Sequence, residues 1–205
     1  IIVVGGAVSE NIILNQIEST FGSKAVKAPP LRYVGSNRNI ISSVIVPVTV
    51  SDLSTQRIII RYPTVSFYHD DLYALDLLAY ILGNGEQSLL YQEFVTKKKL
   101  ATKISVNSIT PSNEYGYFEF MIETTQNSKQ VIAALQLFLD QIQYSGIQEL
   151  RIKRSIKQKR TEYILSKKSL DSYLKEIGQS LIMGENPLFF DFYSKKFESI
   201  TNLDL

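Results

Sequence analysis

The chain has 205 residues, 44 % of them hydrophobic and 20 % charged, which is the make-up of a globular protein and excludes a disordered or fibrous one. A formal net charge of +2 gives no global pull toward nucleic acid or an anionic membrane surface. The lack of cysteine excludes disulfides, thiolate metal sites and a cysteine nucleophile, and no apolar run approaches the roughly 20 residues that cross a bilayer, so no membrane partner is expected.

Ile1 to Val4 is mostly β-branched and ends at Gly5-Gly6, which predicts a buried strand and a sharp turn. Ser9 stands where a helix cap is wanted, and Ile13, Ile17 and Phe21 then recur at four-residue spacing up to Gly22, a residue free to take positive φ at a helix end. Residues 1–22 therefore read as a strand and helix, and residues 23–39, with Pro29-Pro30 and no sustained period, as a linker. Residues 40–205 are the expected main domain.

Ile40 to Val50 and Gln56 to Tyr62 predict an antiparallel pair joined by polar residues. Asp70 and Asp71 open a helix over Leu72 to Leu82 that is apolar on nearly every face and so belongs at the centre, with Leu75, Leu78, Ala79 and Leu82 deeply buried. Gly83-Asn84-Gly85 ends it, and a short helix follows over Ser88 to Val95. Leu100 to Ile109 and Tyr115 to Thr124 predict a second antiparallel pair, since Phe118, Phe120 and Ile122 alternate with Glu119, Met121 and Glu123. Four helices over 128–144, 147–166, 169–183 and 187–200 complete the chain. Strands early and helices late give an α+β fold of two layers, a mainly antiparallel sheet covered on one face by helices.

The catalytic inventory is thin. His69 is the only histidine, without a partner histidine at helical spacing, and its plain reading is a polar residue at a helix entrance. It cannot supply a catalytic zinc site, which needs about three ligands and an open position for water. A serine hydrolase would have to be built on the same histidine, and no G-x-S-x-G elbow occurs. The glycine pairs match neither a dinucleotide fingerprint nor a P-loop. No catalytic and no metal-ligating residue is assigned. The stretch Arg151 to Lys168 is strongly basic, with Lys153, Arg154, Lys157, Lys159, Arg160 and Lys167 against Glu162. It reads as the solvated face of an amphipathic helix, as a phosphate-binding face, or, for Lys153, Arg154, Lys157 and Arg160, as a face that attracts acidic peptide.

The order of several short strings resembles the pitrilysin, insulinase and mitochondrial-processing-peptidase family of zinc metallopeptidases. They are Ile2-Val3-Val4-Gly5-Gly6 with Ile17-Glu18-Ser19-Thr20-Phe21-Gly22; Asp71-Leu72-Tyr73-Ala74-Leu75 through Ile81-Leu82-Gly83-Asn84-Gly85 and Ser88-Leu89-Leu90-Tyr91; Leu100-Ala101 and Gly116-x-Phe118; and Gly146-Ile147 to Lys157 with Ile200-Thr201. Each string is degenerate, and the weight lies in their order and spacing over nearly the whole chain.

The resemblance implies one of two similar repeats in one half of a clam-shaped peptidase. In that family zinc sits in the first repeat on an H-x-x-E-H motif, which this chain lacks. The chain would then be a second, non-catalytic repeat that helps enclose a peptide substrate. Its partners would be the zinc-bearing repeat and the other half; the alternatives are an inactive assembly subunit or, less favoured, a nucleic-acid-binding module. Val95 and Thr102 stand where many members carry a substrate-orienting arginine and tyrosine, so that role is expected to be lost. Residues 1–22 would close the preceding repeat, and the chain would be an excised segment that stops before its own last strand. Ile1 to Val4 is then expected to fill the vacant sheet edge, within the chain or by exchange in a homodimer. Bacterial members of the family are often exported and eukaryotic ones often mitochondrial, so the compartment stays open, with an exported, periplasmic setting favoured if the protein is bacterial.

Overall fold

A computed structural model describes residues 1–22, 54–110, 115–183, 186–201 and 203–205. The strand expected over Ile40 to Val50 and the 23–39 linker lie outside the described residues.

Among the described residues the sheet has three antiparallel strands, β1 (Gln56–Ser66), β2 (Lys103–Ile109) and β3 (Tyr115–Thr124), in the order β1-β3-β2. The period-two pattern seen in the sequence sets its two faces. Ile104, Val106, Phe118, Phe120 and Ile122 are buried on one side, where Ile58 and Ile60 join them. The other side carries cross-strand ion pairs, Arg57 to Glu123 at 2.8 Å and Arg61 to Glu119 at 2.7 Å, with the Arg61 guanidinium 4.7 Å from the centre of the Tyr117 ring. Opposite charges facing one another across antiparallel strands support this register.

Helix α2 (Leu72–Gly83) lies between this sheet and the outer helices. Ala79 and Leu82 join the sheet core together with Val131 and Leu135 of α3 (Ser128–Ser145). Leu77 and Ile81 join a second core with Ile147, with Ile152 of α4 (Glu149–Ser166), and with Phe197 in a 3-10 turn over Phe197–Ser199. A helix packed on two sides must be apolar on two sides, which accounts for its composition. Leu75 and Leu78, expected deep in the core, are only half-buried; Leu77 and Ile81 take those places. An all-round apolar helix gives no phase from which to choose between them.

The short helix expected over Ser88 to Val95 is instead a π-helical segment, Tyr91–Lys97. Its wide turn lets Phe94 bury fully and leaves the Phe94 carbonyl to accept from the backbone N–H groups of Leu100 and Ala101 at 2.8 and 3.2 Å. Helices α5 (Leu170–Met183) and α6 (Phe189–Lys196) complete the helical layer.

The N-terminal expectations change most. Helix α1 (Glu10–Phe21) forms as read, but Ser9 makes no side-chain cap and Gly22 stays in the right-handed region at φ −63°, its N–H donating to the Glu18 carbonyl. Ile1 to Val4 is not a strand and pairs with no strand of the sheet, so it does not fill the edge within its own chain. It approaches α5 at Val3 and Gly5 instead. A Cβ on Gly5 would come 2.6 Å from the Leu174 side chain, and a Cβ on Gly178 would come 3.6 Å from Val3. The absence of a side chain at Gly5 permits this approach, but Ile1, Ile2 and Val4 stay exposed, so the segment is not the buried element its composition predicts.

Candidate functional site

Helix α4 carries the basic residues singled out in the sequence, and its packing decides which of them meet solvent. Ile152 and Ser155 are buried, and Ile156 packs half-buried into the second core. Lys153, Arg154, Lys157 and Arg160 are turned outward and exposed. Lys153 pairs with Glu149 at 2.5 Å, and Arg160 donates from Nη1 to the Glu198 carboxylate, which reaches across from the 3-10 turn. Arg154 and Lys157 face no carboxylate among the described residues. Lys153, Ile156, Lys157, Arg160 and Glu198 line a shallow cleft of about 310 Å³.

Lys159 is not part of this face. Its ammonium lies 4.7 Å from the centre of the Phe197 ring and 5.6 Å from that of Tyr80. Burial pulls its pKa down, and the charges of Asp76 and Glu162 work in the opposite sense. The Asp76 carboxylate is pushed above its ordinary range by burial, with Lys159 opposing, and it accepts a hydrogen bond from the Tyr193 hydroxyl. Tyr80 donates to Glu162 at 2.7 Å and is pushed up to about 12, first by burial and then by that carboxylate. This cluster joins α2, α4, α6 and the 3-10 turn. Its sequence signal was available: Ile152, Ile156, Lys159 and Tyr163 recur at helical spacing, so Lys159 belongs to the inward stripe.

A second polar cluster ties α4 to α5 and α6. The Tyr163 hydroxyl stands 3.0 Å from both Glu176 and Asp191, and Lys167 donates to Asp191 at 2.5 Å. The hydrogen bond from Lys167 holds the Asp191 carboxyl below its usual range. Burial disfavours the charge on Lys167, but the bonds to Asp191 and Tyr163 outweigh it and its pKa is raised.

The remaining singled-out residues stand apart from the cleft. Val95 lies in the π-helical segment, half-buried against the sheet core, with nothing to donate. The Thr102 hydroxyl donates to the Glu123 carbonyl at 3.1 Å and so serves the end of the sheet. His69 lies in an exposed turn, where its Nδ1 accepts the Asp71 N–H at 3.2 Å. Among the described residues no three His, Cys, Asp or Glu side chains are grouped closely enough to hold a metal ion.

A sequence model described as the peptidase M16 inactive domain matches residues 1–159. The chain belongs to this family. No curated protein sequence matches it. Among solved structures, a protease from Helicobacter pylori is 20 % identical with a TM-score of 0.79, over 98 % of this chain and 49 % of its own. The inactive peptidase domain of a proposed zinc protease from Bordetella parapertussis is 15 % identical, with a TM-score of 0.63 over 73 % of this chain and 81 % of its own. The periplasmic protease PqqL from Escherichia coli is 14 % identical, with a TM-score of 0.71 over 97 % of this chain and 22 % of its own. These likenesses establish the α+β fold. The chain spans about half the length of the Helicobacter pylori protease.

Proposed function

We propose that this chain is the non-catalytic second repeat of a zinc-dependent endopeptidase and forms part of the wall of a chamber that holds an unfolded peptide while a zinc-bearing repeat cuts it. The observation that carries the reading is the match of residues 1–159 to the inactive domain of the family. The chemistry of the chain agrees with it: its one histidine stands in an exposed turn, hydrogen-bonded to its own loop. The contribution of such a domain is confinement and orientation, which lower the entropic part of the barrier without any bond chemistry of its own. Residues 1–22 close the preceding repeat in this proposal, residues 40–205 form the second repeat, and zinc belongs to the partner. The exposed cations Lys153, Arg154, Lys157 and Arg160 then face the chamber. An exported setting is part of the same proposal, in line with the periplasmic PqqL, and cell fractionation tests it.

The experiment is co-expression with the zinc-bearing segment of the same protease and an assay of cleavage of an unfolded reporter peptide. Cleavage that needs both segments is the expected result. A zinc-bearing segment that cuts equally well without this chain contradicts the proposal and favours an assembly role.

A further inference from the structure

We propose that the cleft between α4 and the 3-10 turn is a binding site for an extended peptide segment bearing acidic residues at alternate positions; the proposal deepens the chamber reading and rests on it for its biological setting. The structure already holds a carboxylate in this cleft. Glu198 reaches across from the turn to the Arg160 guanidinium, so the cleft has a cation placed to take a carboxylate and a ligand of that class seated on it. One step along the same wall, Lys157 has no carboxylate among the described residues, although Lys153 before it and Arg160 after it each have one. The wall is thus a row of three cations in which the middle one is unmatched.

The spacing selects the ligand. Lys153 and Lys157 are one helical turn apart, about 6 Å along the axis, and alternate residues of an extended peptide are about 6.6 Å apart on one side. Two carboxylates at positions i and i+2 therefore meet the unmatched Lys157 and Lys153, whose exposed pair with Glu149 is weak enough to exchange. Ile156, half-buried in the floor, offers apolar surface to the methylene groups of a glutamate or to a neighbouring aliphatic residue. A nucleic acid fits less well. The lining has no aromatic ring on which a base could stack.

The test is fluorescence anisotropy of a labelled, unstructured Ser/Gly peptide carrying two glutamates at alternate positions, titrated with the 205-residue chain at low and moderate salt. The expected result is binding that weakens with salt and is lost when the glutamates are replaced by glutamine. Lys157→Glu, at an exposed position, is expected to weaken it by about tenfold. Lys175→Glu, an equal charge change on α5 outside the cleft, is expected to leave it nearly unchanged. Glu198→Gln removes the competing carboxylate and is expected to tighten binding severalfold. A glutamine peptide that binds as well, a Lys175→Glu effect as large as that of Lys157→Glu, or tighter binding of an oligothymidylate overturns the proposal. The chamber reading fails separately, in the two-segment cleavage assay.

Discussion

Gly83 at the end of α2 lies directly against the backbone of Val106 on β2, so closely that a Cβ built on the glycine would stand 2.3 Å from the Val106 nitrogen. The contact sets how near the central helix approaches the sheet. Because the obstacle is backbone, no rotamer change relieves it. Gly83→Ala is expected to cost about 1–3 kcal/mol by overpacking, measured by urea unfolding. An unchanged midpoint would show that α2 sits further from β2.

The two sides of α2 differ in a way that truncation reads out. Leu77→Ala empties a fully buried site in the second core and is expected to cost about 2–5 kcal/mol. Leu75→Ala, at a half-buried site, is expected to cost clearly less. Equal losses would place the helix in a different rotation.

Asp76 gives a pH dependence of unusual sign. Its folded pKa is raised by burial, so the folded state takes up a proton at higher pH than the unfolded chain does. The charged form therefore weakens the fold above that raised pKa, and the penalty disappears as pH falls through it. Asp191 runs the other way: its pKa is lowered by Lys167, so its contribution is present above the unfolded value and is lost as pH falls through the folded one. Asp76→Asn keeps an acceptor for the Tyr193 hydroxyl and removes the buried charge. It is expected to be at least as stable as the parent at pH 7, with the advantage shrinking toward acid pH. Urea titrations at several pH values check this; a large loss at pH 7 would mean that the charge itself holds the cluster together.

Ile1 to Val4 forms no strand, and Val3 lies against Gly178 of α5, so strand exchange is not expected and the chain should sediment as a monomer. A dimer that disappears when residues 1–4 are deleted would instead show exchange between copies.

Much of this was legible in the sequence where periodicity is strong. The alternation across Phe118 to Glu123 gave strand and face together, and the helices from 128 onward lie close to their expected bounds. The phase of α2 was not legible, because apolar residues on every side carry no phase. The place of Ile1 to Val4 was hidden for another reason: β-branched composition predicts a buried strand, yet Ile1, Ile2 and Val4 stay exposed and only Val3 comes near α5. At the candidate site, the outward cations of α4 could be read from the sequence. The pairing of Arg160 with Glu198 could not, since it joins residues brought together only by the fold.

Whether this chain supplies enclosure and no catalysis is decided by assaying the purified 205-residue chain on an unfolded peptide, with zinc added and with a chelator, alongside a calorimetric zinc titration. No cleavage and no stoichiometric zinc uptake are expected. Cleavage that zinc supports and the chelator abolishes would contradict a purely enclosing role.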